Sequence, residues 1–457
     1  MAAVSSAELE QVMRNSVEGI ASIDIPSGQA AQLRLLTEAV DQLHWASADD
    51  MHARQAAQLT NTVRWHAHTN AAFMQRLRTA GISDDGIGHE WLQALPPLTR
   101  RAWQDAGPAM FNDYVPRSHG QLQEGSTSGS TGEPVKVKRT SLNGSLWAAH
   151  ALLDHNWHHR DFRGKLMAVR GDIHERQEGR DWGFPVAMVT ETGPGLGLPI
   201  TTDVAELLGE IERFQPTTLV IYPSMLRPCL DAWASGTAKP VSIEHVKTIG
   251  ETVSDELRQQ VEAVLHLRIE DTYSSNEFGT IAASCQHGQY HTMLESVIVE
   301  VLDDQGTACA PGEIGRLVIT DLLNWATPII RYDIGDWGIA GDRCSCGRRS
   351  PTLAKVMGRT RNLIVHPDGR RNWPLTGFKG FSDIAPIRQY QVIQHAIDDV
   401  ELRIACDEEL TLDQSDRLTA LVQRFLGGAF PLRITRQAGP FALARNGKHE
   451  EFICEVI

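Results

Sequence analysis

The fold is decided by residues 245 to 277, which read HVKTIGETVSDELRQQVEAVLHLRIEDTYSSNE. Aliphatic and β-branched residues predict short buried strands over residues 245–249 and 267–269. Between these strands, apolar residues recur at the spacing of one helix face, which predicts a helix over residues 254–265. The segment is therefore a strand, helix and strand unit, which is typical of a parallel sheet covered by helices.

The same rhythm is present upstream of this unit. Strands are predicted over residues 165–169 and 218–222, and a helix over residues 203–214. We therefore expect an α/β fold with a mostly parallel, helix-covered sheet, whose ligands bind at the carboxyl ends of the strands. Polar loops follow these strands, and the residues expected to line a substrate pocket there are Tyr222, Ser224, Gly250, Tyr273, Ser274 and Gly279.

The pattern changes in the last third of the chain. Residues 296–337 read as short strands with Gly-rich turns, which predicts an antiparallel or barrel-like β subdomain. A separate α+β unit is expected from Gly358 onward. Its predicted elements are two strands (residues 390–397 and 401–406), a helix (residues 415–426) and a hairpin turn at Asn446-Gly447. The predicted domains are residues 1–357 and 358–457.

Composition excludes several classes of protein. The chain has 457 residues with 43 basic and 57 acidic side chains, and its net charge of −14 argues against nucleic-acid or membrane-surface binding. No run of about 18 apolar residues predicts a membrane span, and residues 1–16 lack the apolar core of a secretion signal. Seven scattered cysteines do not suggest a disulfide framework. We expect a cytoplasmic protein.

A run of small residues, Gly125-Ser-Thr-Ser-Gly-Ser-Thr-Gly-Glu-Pro134, is the second informative stretch. Glycine backbone and Ser/Thr hydroxyls can surround a phosphate with N–H and O–H donors, although a flexible linker has a similar composition. The P-loop of NTPases requires a lysine and then Ser or Thr after its last glycine. Here Gly132 is followed by Glu133, so that class is disfavoured.

Together these segments resemble the adenylate-forming superfamily of acyl- and aryl-CoA ligases and adenylation domains, and most closely its phenylacetate-CoA ligase branch. The resemblance extends from about residue 123 to the end in the family's order, whereas the first 121 residues are only loosely similar. Six blocks carry it, at residues 127–134, 250–252, 273–277, 331–336, 358–362 and 446–448. The resemblance implies an N-terminal adenylation domain and a small, mobile C-terminal domain.

The resemblance also implies ATP, Mg²⁺ and coenzyme A as cofactors. It implies that the nucleotide contacts Thr127, Ser128, Gly129, Ser130, Thr131, Gly132, Gly250, Glu251, Thr252, Asp271, Tyr273, Ser274, Asn276, Asp336 and Arg359. Lys448, Glu277 and Thr131 are the implied catalytic residues: Lys448 as a cation at the reacting carboxylate, Glu277 as the Mg²⁺ ligand and Thr131 as a phosphate donor. Asp336 would bind the ribose hydroxyls.

Each of these residues also has a structural explanation when it is taken alone. Lys448 could be an exposed hairpin lysine, Glu277 a solvated loop carboxylate and Asp336 the cap of a turn. Departures from the family pattern are Glu133 and Val135 where a loop lysine is usual, Asn276 in place of a hydroxyl residue, and Arg361 at the hinge. Lys136 and Lys138 are close enough in sequence to substitute for the missing loop lysine.

A group of cysteines and histidines suggests a second metal. Cys344-Ser-Cys346 is a tight thiolate pair, and Cys285, His287 and His291 lie upstream of it. Some relatives in the phenylacetate-CoA ligase branch look to carry a structural Zn²⁺ here, so the resemblance favours Cys285, His291, Cys344 and Cys346 as a tetrahedral site. His287 is the substitute ligand, and free thiols are the alternative.

The expected function is that of an AMP-forming acid-thiol ligase. It would activate a small carboxylic acid, aromatic on the resemblance alone, and pass the acyl group to coenzyme A. One alternative is a stand-alone adenylating enzyme whose acceptor is a separate carrier protein or an amine. A second alternative is a non-catalytic nucleotide-binding relative. The sequence leaves open whether the chain forms a homodimer.

Overall fold

The computed structural model describes residues 28–83, 85–126, 134–359, 363–372, 380–439, 441 and 452–456. Several predicted site residues lie outside these ranges: Thr127, Ser128, Gly129, Ser130, Thr131, Gly132, Glu133, Arg361 and Lys448. Within the described chain, one sheet of 12 strands and one of four strands dominate the architecture.

Helices surround both sheets. Their bounds are Gly28–Trp45, Ala48–Thr69, Ala71–Thr79, His89–Ala94, Arg100–Ala106, Ser141–Trp157, Val186–Val189, Val204–Phe214, Pro223–Ala234, Asp255–Leu265, Phe381–Ile384 and Leu412–Leu426. Single 3₁₀ turns lie at Gly107–Met110 and Arg117–His119. Among the described residues, no helix combines the length and apolarity that a bilayer crossing requires.

A two-stranded hairpin precedes the large sheet. Its strands are β1 (Leu122–Ser126) and β2 (Lys136–Thr140). The strands of the large sheet are β3 (Leu166–Arg170), β4 (Gln177–Gly179), β5 (Gly195–Pro199), β6 (Thr218–Ile221), β7 (His245–Ile249), β8 (Ile269–Ser275), β9 (Gly279–Ser284), β10 (Tyr290–Thr292), β11 (Val297–Leu302), β12 (Ile314–Asp321), β13 (Tyr332–Ala340) and β14 (Thr352–Arg359). Their spatial order is β11-β12-β13-β14-β10-β9-β8-β7-β6-β3-β5-β4.

The predicted parallel sheet is confirmed in the middle of this order. Strands β5, β3, β6, β7 and β8 are parallel neighbours. Aliphatic side chains of these strands and of the covering helices form one buried core, which includes Leu219, Val246 and Leu257. Burying them on both sides of the sheet is what stabilises parallel pairing.

The two predicted helices are also present. Each begins one residue later than predicted, because Asp203 and Ser254 are N-caps whose side chains accept from backbone N–H groups of the first turn. Strand β8 differs more from its prediction. It begins at Ile269, where the predicted strand ended, because the helix end at His266 adopts a left-handed conformation and the chain then crosses to the sheet. Tyr273 therefore lies within the strand.

The antiparallel strands continue the same sheet. The tight β8–β9 turn returns the chain beside β8, and β10, β14, β13, β12 and β11 add on in antiparallel fashion. The β subdomain that the sequence predicted as barrel-like is therefore hydrogen-bonded to the parallel strands. This continuity brings β13 and β14 to the same side of the molecule as the end of β8.

A second core belongs to the last part of the chain. After a short hairpin of β15 (Ile364–Val365) and β16 (Arg371–Asn372), strands β17 (Gln389–Ala396), β18 (Asp399–Ala405), β19 (Leu432–Gln437) and β20 (Phe452–Cys454) form a sheet in the order β19-β18-β17-β20. Helix Leu412–Leu426 packs on it. This helix begins three residues before the prediction because Thr411 and Gln414 form a capping box.

Candidate functional site

Two strand-end loops meet through a carboxylate. Glu251 follows β7, and its oxygens accept from the backbone N–H and the hydroxyl of Ser224, at 2.9 Å each. Ser224 lies in the first turn of helix Pro223–Ala234, where unsatisfied N–H groups favour a negative charge. Gly250 supplies the turn after β7 with a φ of 74°, and Thr252 is exposed beside it. The loops after β6 and β7 therefore form one edge of the candidate site.

The next wall is built by Tyr273 of β8 and Asp336 of β13. The Tyr273 hydroxyl donates to Asp336 Oδ2 at 2.7 Å, and both residues are buried. Burial and the Asp336 carboxylate hold the pKa of Tyr273 well above its ordinary value, so the tyrosine remains a donor. Arg359 is the cross-strand partner of Asp336, with its Nε 3.5 Å from Oδ1.

Asp336 retains acceptor capacity for a ligand. An ionised carboxylate has about four lone-pair sites, and the phenol of Tyr273 occupies one of them. The Arg359 side chain is 47% exposed, so its guanidinium lies at the border between the carboxylate and solvent. A buried acid beside a partly exposed arginine suits a neutral polyol that donates two hydrogen bonds. Ser274 and Asn276 are exposed nearby.

Glu277 follows β8 and is buried, unlike the neighbouring loop residue Asn276. Its Oε1 lies 4.0 Å from Nη1 of Arg100, which is in the first turn of helix Arg100–Ala106. Both groups affect the pKa of the Tyr332 hydroxyl. Burial raises this pKa, the negative charge of Glu277 raises it further, and the positive charge of Arg100 lowers it. Glu277 and Asp336 also both raise the pKa of Tyr273. The two predicted carboxylates therefore lie around one tyrosine.

Gly279 holds the loop of Glu277 against Trp147. The indole N–H of Trp147 donates to the Phe278 carbonyl at 3.1 Å, and a Cβ at Gly279 would lie 1.8 Å from the same nitrogen. Gly279 also has a φ of 72°, which L side chains rarely adopt. The missing side chain therefore allows the loop to pack directly on the indole ring.

Gly279→Ala is expected to lower the midpoint of thermal unfolding by roughly 5 °C or more, because backbone strain and overpacking act together. Differential scanning calorimetry measures the shift. Gly81→Ala is the matched control, since Gly81 has a φ of 67° and no atom within 4 Å of an added Cβ. Equal shifts in the two variants would contradict the packing role of Trp147.

Asp271, predicted to contact the nucleotide, is buried, and its side chain is hydrogen-bonded to neighbouring strands of the large sheet. Its carboxylate accepts from Thr248 Oγ1 and from the Tyr290 hydroxyl, at 2.6 Å each. Burial raises the pKa of Asp271, and the two hydrogen bonds oppose that rise. These contacts tie β7, β8 and β10 together behind the wall that carries Tyr273.

The predicted thiolate and imidazole ligands come together away from this wall. The ligand atoms of Cys285, His291, Cys344 and Cys346 all lie within 4.8 Å of one another. The Cys285 and Cys344 sulfurs are 3.5 Å apart, and Cys346 Sγ is 3.3 Å from His291 Nε2. A tetrahedral Zn²⁺ with one nitrogen bond of about 2.0 Å and three sulfur bonds of about 2.3 Å separates its ligand atoms by about 3.5–3.8 Å. The donor set and its spacing therefore fit zinc.

The surroundings of this cluster orient its histidine. Ser350 Oγ contacts Nδ1 of both His291 and His44, at 2.9 and 2.7 Å, which leaves His291 Nε2 directed at the cysteines. Burial lowers the pKa of His291 to about 3, so the ring is neutral at pH 7. His287, the substitute ligand, instead contacts Ser345 Oγ at 3.1 Å through its Nδ1.

Three residues near the site, Arg100, Arg139 and Trp147, were not predicted from the sequence. Arg100 lies in the segment that is only loosely similar to the family, so no block pointed to it. Arg139 directly follows Lys136-Val137-Lys138, and spacing alone does not separate the three cations. Trp147 lies on helix Ser141–Trp157, whose apolar residues do not single out one member. Only their contacts with the Glu277 loop and the β1–β2 hairpin identify them.

Comparison with known proteins finds relatives in one enzyme group. No family model matches the chain. Phenylacetate-coenzyme A ligase of Thermus thermophilus is 24% identical over 350 residues, covering 71% of this chain and 74% of that protein. The enzyme of the same name from Escherichia coli is 25% identical over 349 residues, covering 71% and 75%.

Solved structures agree on the fold. A 2-hydroxyisobutyryl-CoA ligase in complex with 2-HIB-AMP matches with a TM-score of 0.69 at 15% identity, over 91% of this chain and 92% of that one. An anthranilate CoA ligase in complex with anthranoyl-AMP matches with a TM-score of 0.51 at 14% identity, over 70% and 64%. The chain is therefore a relative of the phenylacetate-coenzyme A ligases and has the fold of the adenylate-forming acyl-CoA ligases.

Proposed function

We propose that this chain is an AMP-forming ligase that activates a carboxylic acid with ATP and transfers the acyl group to coenzyme A. The observation that carries the proposal is the buried Asp336 carboxylate, oriented by Tyr273 beside the Glu277 loop. Its acceptor capacity suits the two hydroxyls of a ribose. The names of the two phenylacetate-coenzyme A ligases, and the acyl adenylate in the 2-hydroxyisobutyryl-CoA ligase, support the same assignment.

The first step needs charge stabilisation more than a protein nucleophile. A carboxylate oxygen forms a bond to the α-phosphorus of ATP while the bond from that phosphorus to the bridging oxygen breaks. Pyrophosphate leaves with the bonding electrons, so negative charge accumulates on phosphate oxygens. The site must therefore orient the nucleotide, hold the acid in line and neutralise the leaving group.

We assign these tasks to residues on both sides of the loop that follows β8. Asp336 accepts from the ribose hydroxyls, and Arg359 contacts the same sugar at its exposed side. Glu277 is a hard oxygen ligand and fits Mg²⁺, which supplies positive charge to the phosphates when it is bound. Thr131 and its loop neighbours donate to the β- and γ-phosphates, and Lys448 neutralises the reacting carboxylate.

The acid is proposed to bind between the strand-end loops, against Tyr222, Ser224, Gly250, Tyr273, Ser274 and Gly279. The names of the curated relatives favour an aromatic acid. In the second step the coenzyme A thiol loses its proton and attacks the acyl carbon, and AMP leaves with the electrons of the acyl–oxygen bond. We propose that the part of residues 358–457 that follows β14 moves between the two steps, and that the reaction occurs in the cytoplasm.

We also propose that Cys285, His291, Cys344 and Cys346 hold a structural Zn²⁺. Four protein ligands leave no open position for substrate, so this metal would serve stability alone. It would join β9 and β10 to the loop before β14, behind the wall that carries Tyr273.

The proposed function is tested by acid-dependent release of AMP. The full chain is incubated with ATP, Mg²⁺ and a panel of aryl and aliphatic acids, with and without coenzyme A, and AMP and thioester are quantified by chromatography. AMP and thioester formed together with an acid support the proposal. Acyl adenylate without thioester indicates a carrier protein or an amine as acceptor. Absence of turnover with every acid, together with retained ATP binding, favours a non-catalytic nucleotide-binding relative.

A further inference from the structure

The phosphate-binding stretch of this chain contains no positive charge of its own. Residues 125–134 include one acid, Glu133, and no lysine or arginine. ATP carries about four negative charges near pH 7, and a chain with a net charge of −14 does not attract it by its overall field. If the proposed function holds, cations from outside the stretch must neutralise the triphosphate.

The two lysines of strand β2 lie on the opposite face of the strand from Arg139 and are not directed at the triphosphate. Side chains alternate along a strand, so Lys136 and Lys138 share one face while Val137 and Arg139 share the other. Lys136 Nζ lies 3.5 Å from Glu124 on the partner strand, and Lys138 Nζ lies 4.4 Å from the centre of the Phe111 ring. Both lysines are therefore engaged on the face away from Val137, which is fully buried.

Arg139 lies on the opposite face, at the base of the phosphate-binding stretch. A Cβ at Gly125 would be 2.9 Å from Nη2 of Arg139, so the guanidinium covers the first residue of the stretch. On its other side, the guanidinium carbon lies 4.6 Å from the centre of the Trp147 ring. Trp147 is in turn hydrogen-bonded to the Phe278 carbonyl. Arg139 therefore links the start of the stretch to the loop of Glu277.

The charges around Arg139 agree with that position. Burial lowers its pKa, and the carboxylates of Asp321 and Glu277 oppose the change, which places both acids in its neighbourhood. Arg100 approaches Glu277 independently, with Nη1 4.0 Å from Oε1 and a side chain that is 25% exposed. The carboxylate to which we assign Mg²⁺ therefore has Arg100 at ion-pair distance and is near enough to Arg139 to affect its pKa.

We propose that Arg139, assisted by Arg100, binds the β- and γ-phosphates of ATP and stabilises the departing pyrophosphate, in place of a lysine in the loop. This inference rests on the proposed function. As the bond between the α-phosphorus and the bridging oxygen breaks, the electron pair moves onto pyrophosphate. A guanidinium fixed between Gly125 and Trp147 can donate two parallel hydrogen bonds to the phosphate oxygens that gain this charge.

The inference predicts a selective loss of triphosphate binding. Arg139→Gln is expected to weaken the Kd for ATP with Mg²⁺ by at least about tenfold while changing the Kd for AMP by less than about threefold. Titration calorimetry on the full chain without acid measures both constants. Inhibition of AMP formation by pyrophosphate is expected to weaken in parallel. Arg139→Lys should recover part of the ATP affinity, and Arg100→Gln should show a smaller loss of the same kind.

Lys136→Gln and Lys138→Gln are the matched controls, because they remove one charge from the same strand on the other face. Both are expected to retain the ATP and AMP constants of the natural chain. An equal loss of ATP and AMP affinity in Arg139→Gln, or a fall in thermal stability with unchanged ATP affinity, would overturn the inference by showing a structural role beside Asp321. So would loss of ATP binding in the lysine variants alone. If the natural chain forms no AMP with any acid, the proposed ligase reaction fails, and the ratio of the ATP and AMP constants still decides the role of Arg139.

Discussion

Replacing Asp336 with alanine is expected to lower kcat/KM for ATP by at least about a hundredfold. Each hydroxyl that donates to an ionised carboxylate contributes about 1.5–3 kcal/mol, and the variant loses two such bonds to the ribose. Burial of Asp336 strengthens the effect, because hydrogen bonds to a carboxylate are stronger where bulk water is excluded. Acid-dependent AMP release at varied ATP concentration measures the loss.

An ATP analogue separates the ribose contact from general damage to the site. The natural chain is expected to discriminate strongly between ATP and 2′,3′-dideoxy-ATP, whereas Asp336→Ala should discriminate little, since the group that reads the hydroxyls is gone. Calorimetric unfolding is the control for folding. Unchanged discrimination between the two nucleotides in Asp336→Ala would contradict the ribose assignment, whatever the absolute activity.

Tyr273→Phe is the matched variant for orientation. It removes the 2.7 Å hydrogen bond to Asp336 Oδ2 but leaves the carboxylate in place. The expected loss in kcat/KM for ATP is about tenfold or less, and discrimination against the dideoxy analogue should persist. A loss as large as that of Asp336→Ala would instead show that the phenol itself contacts the nucleotide.

Removal of a ligand from the cysteine and histidine cluster is expected to be the largest effect on stability. We expect the purified chain to carry about one equivalent of Zn²⁺, and Cys344→Ser to lower the unfolding midpoint by roughly 10 °C, because the binding free energy of a closed site contributes directly to folding. Elemental analysis and calorimetry measure the two quantities. Incubation with a strong chelator should reproduce the shift in the natural chain.

Two residues close to the cluster in sequence or chemistry provide the controls. The His287 side chain contacts Ser345, and only the backbone N–H of His287 reaches Cys285 Sγ, a bond that His287→Ala retains. Cys309 lies outside the cluster, so His287→Ala and Cys309→Ser should both retain the metal. Less than about half an equivalent of Zn²⁺, together with full stability in chelator, would mean that the four residues are free thiols and a neutral histidine.

Much of the fold could be predicted because local signals agree with the final structure. The helices at residues 204–214 and 255–265 have both an apolar face and a capping side chain, so their positions were predicted to within one residue. The start of β8 could not be predicted as well, because the left-handed turn at His266 depends on how the helix end meets the sheet. The N-terminal helices contain none of the six blocks that resemble the family, and no sequence motif indicates how they pack on the sheet.

Most residues of the candidate site were predicted from the sequence, but the contacts between them were not. Tyr273, Glu277 and Asp336 were found from short blocks whose residue types match the chemistry, and Cys285, His291, Cys344 and Cys346 from the affinity of thiolates and imidazole for zinc. The contact between Tyr273 and Asp336 spans 63 residues, and it forms because β13 and β14 join the sheet beside β10. That strand order depends on long-range pairing, which a residue pattern does not contain.

By itself, the sequence determined the alternation of strands and helices, the residues with ligand chemistry and their order along the chain, since these follow from side-chain type and spacing. Only the tertiary structure decided that the antiparallel strands extend the parallel sheet, and that Arg139, not Lys136 or Lys138, covers Gly125. The physical reason is that side chains alternate between the two faces of β2, and this alternation does not determine which face is directed at the core. Packing of Val137 in the core and of Arg139 on Trp147 makes that choice.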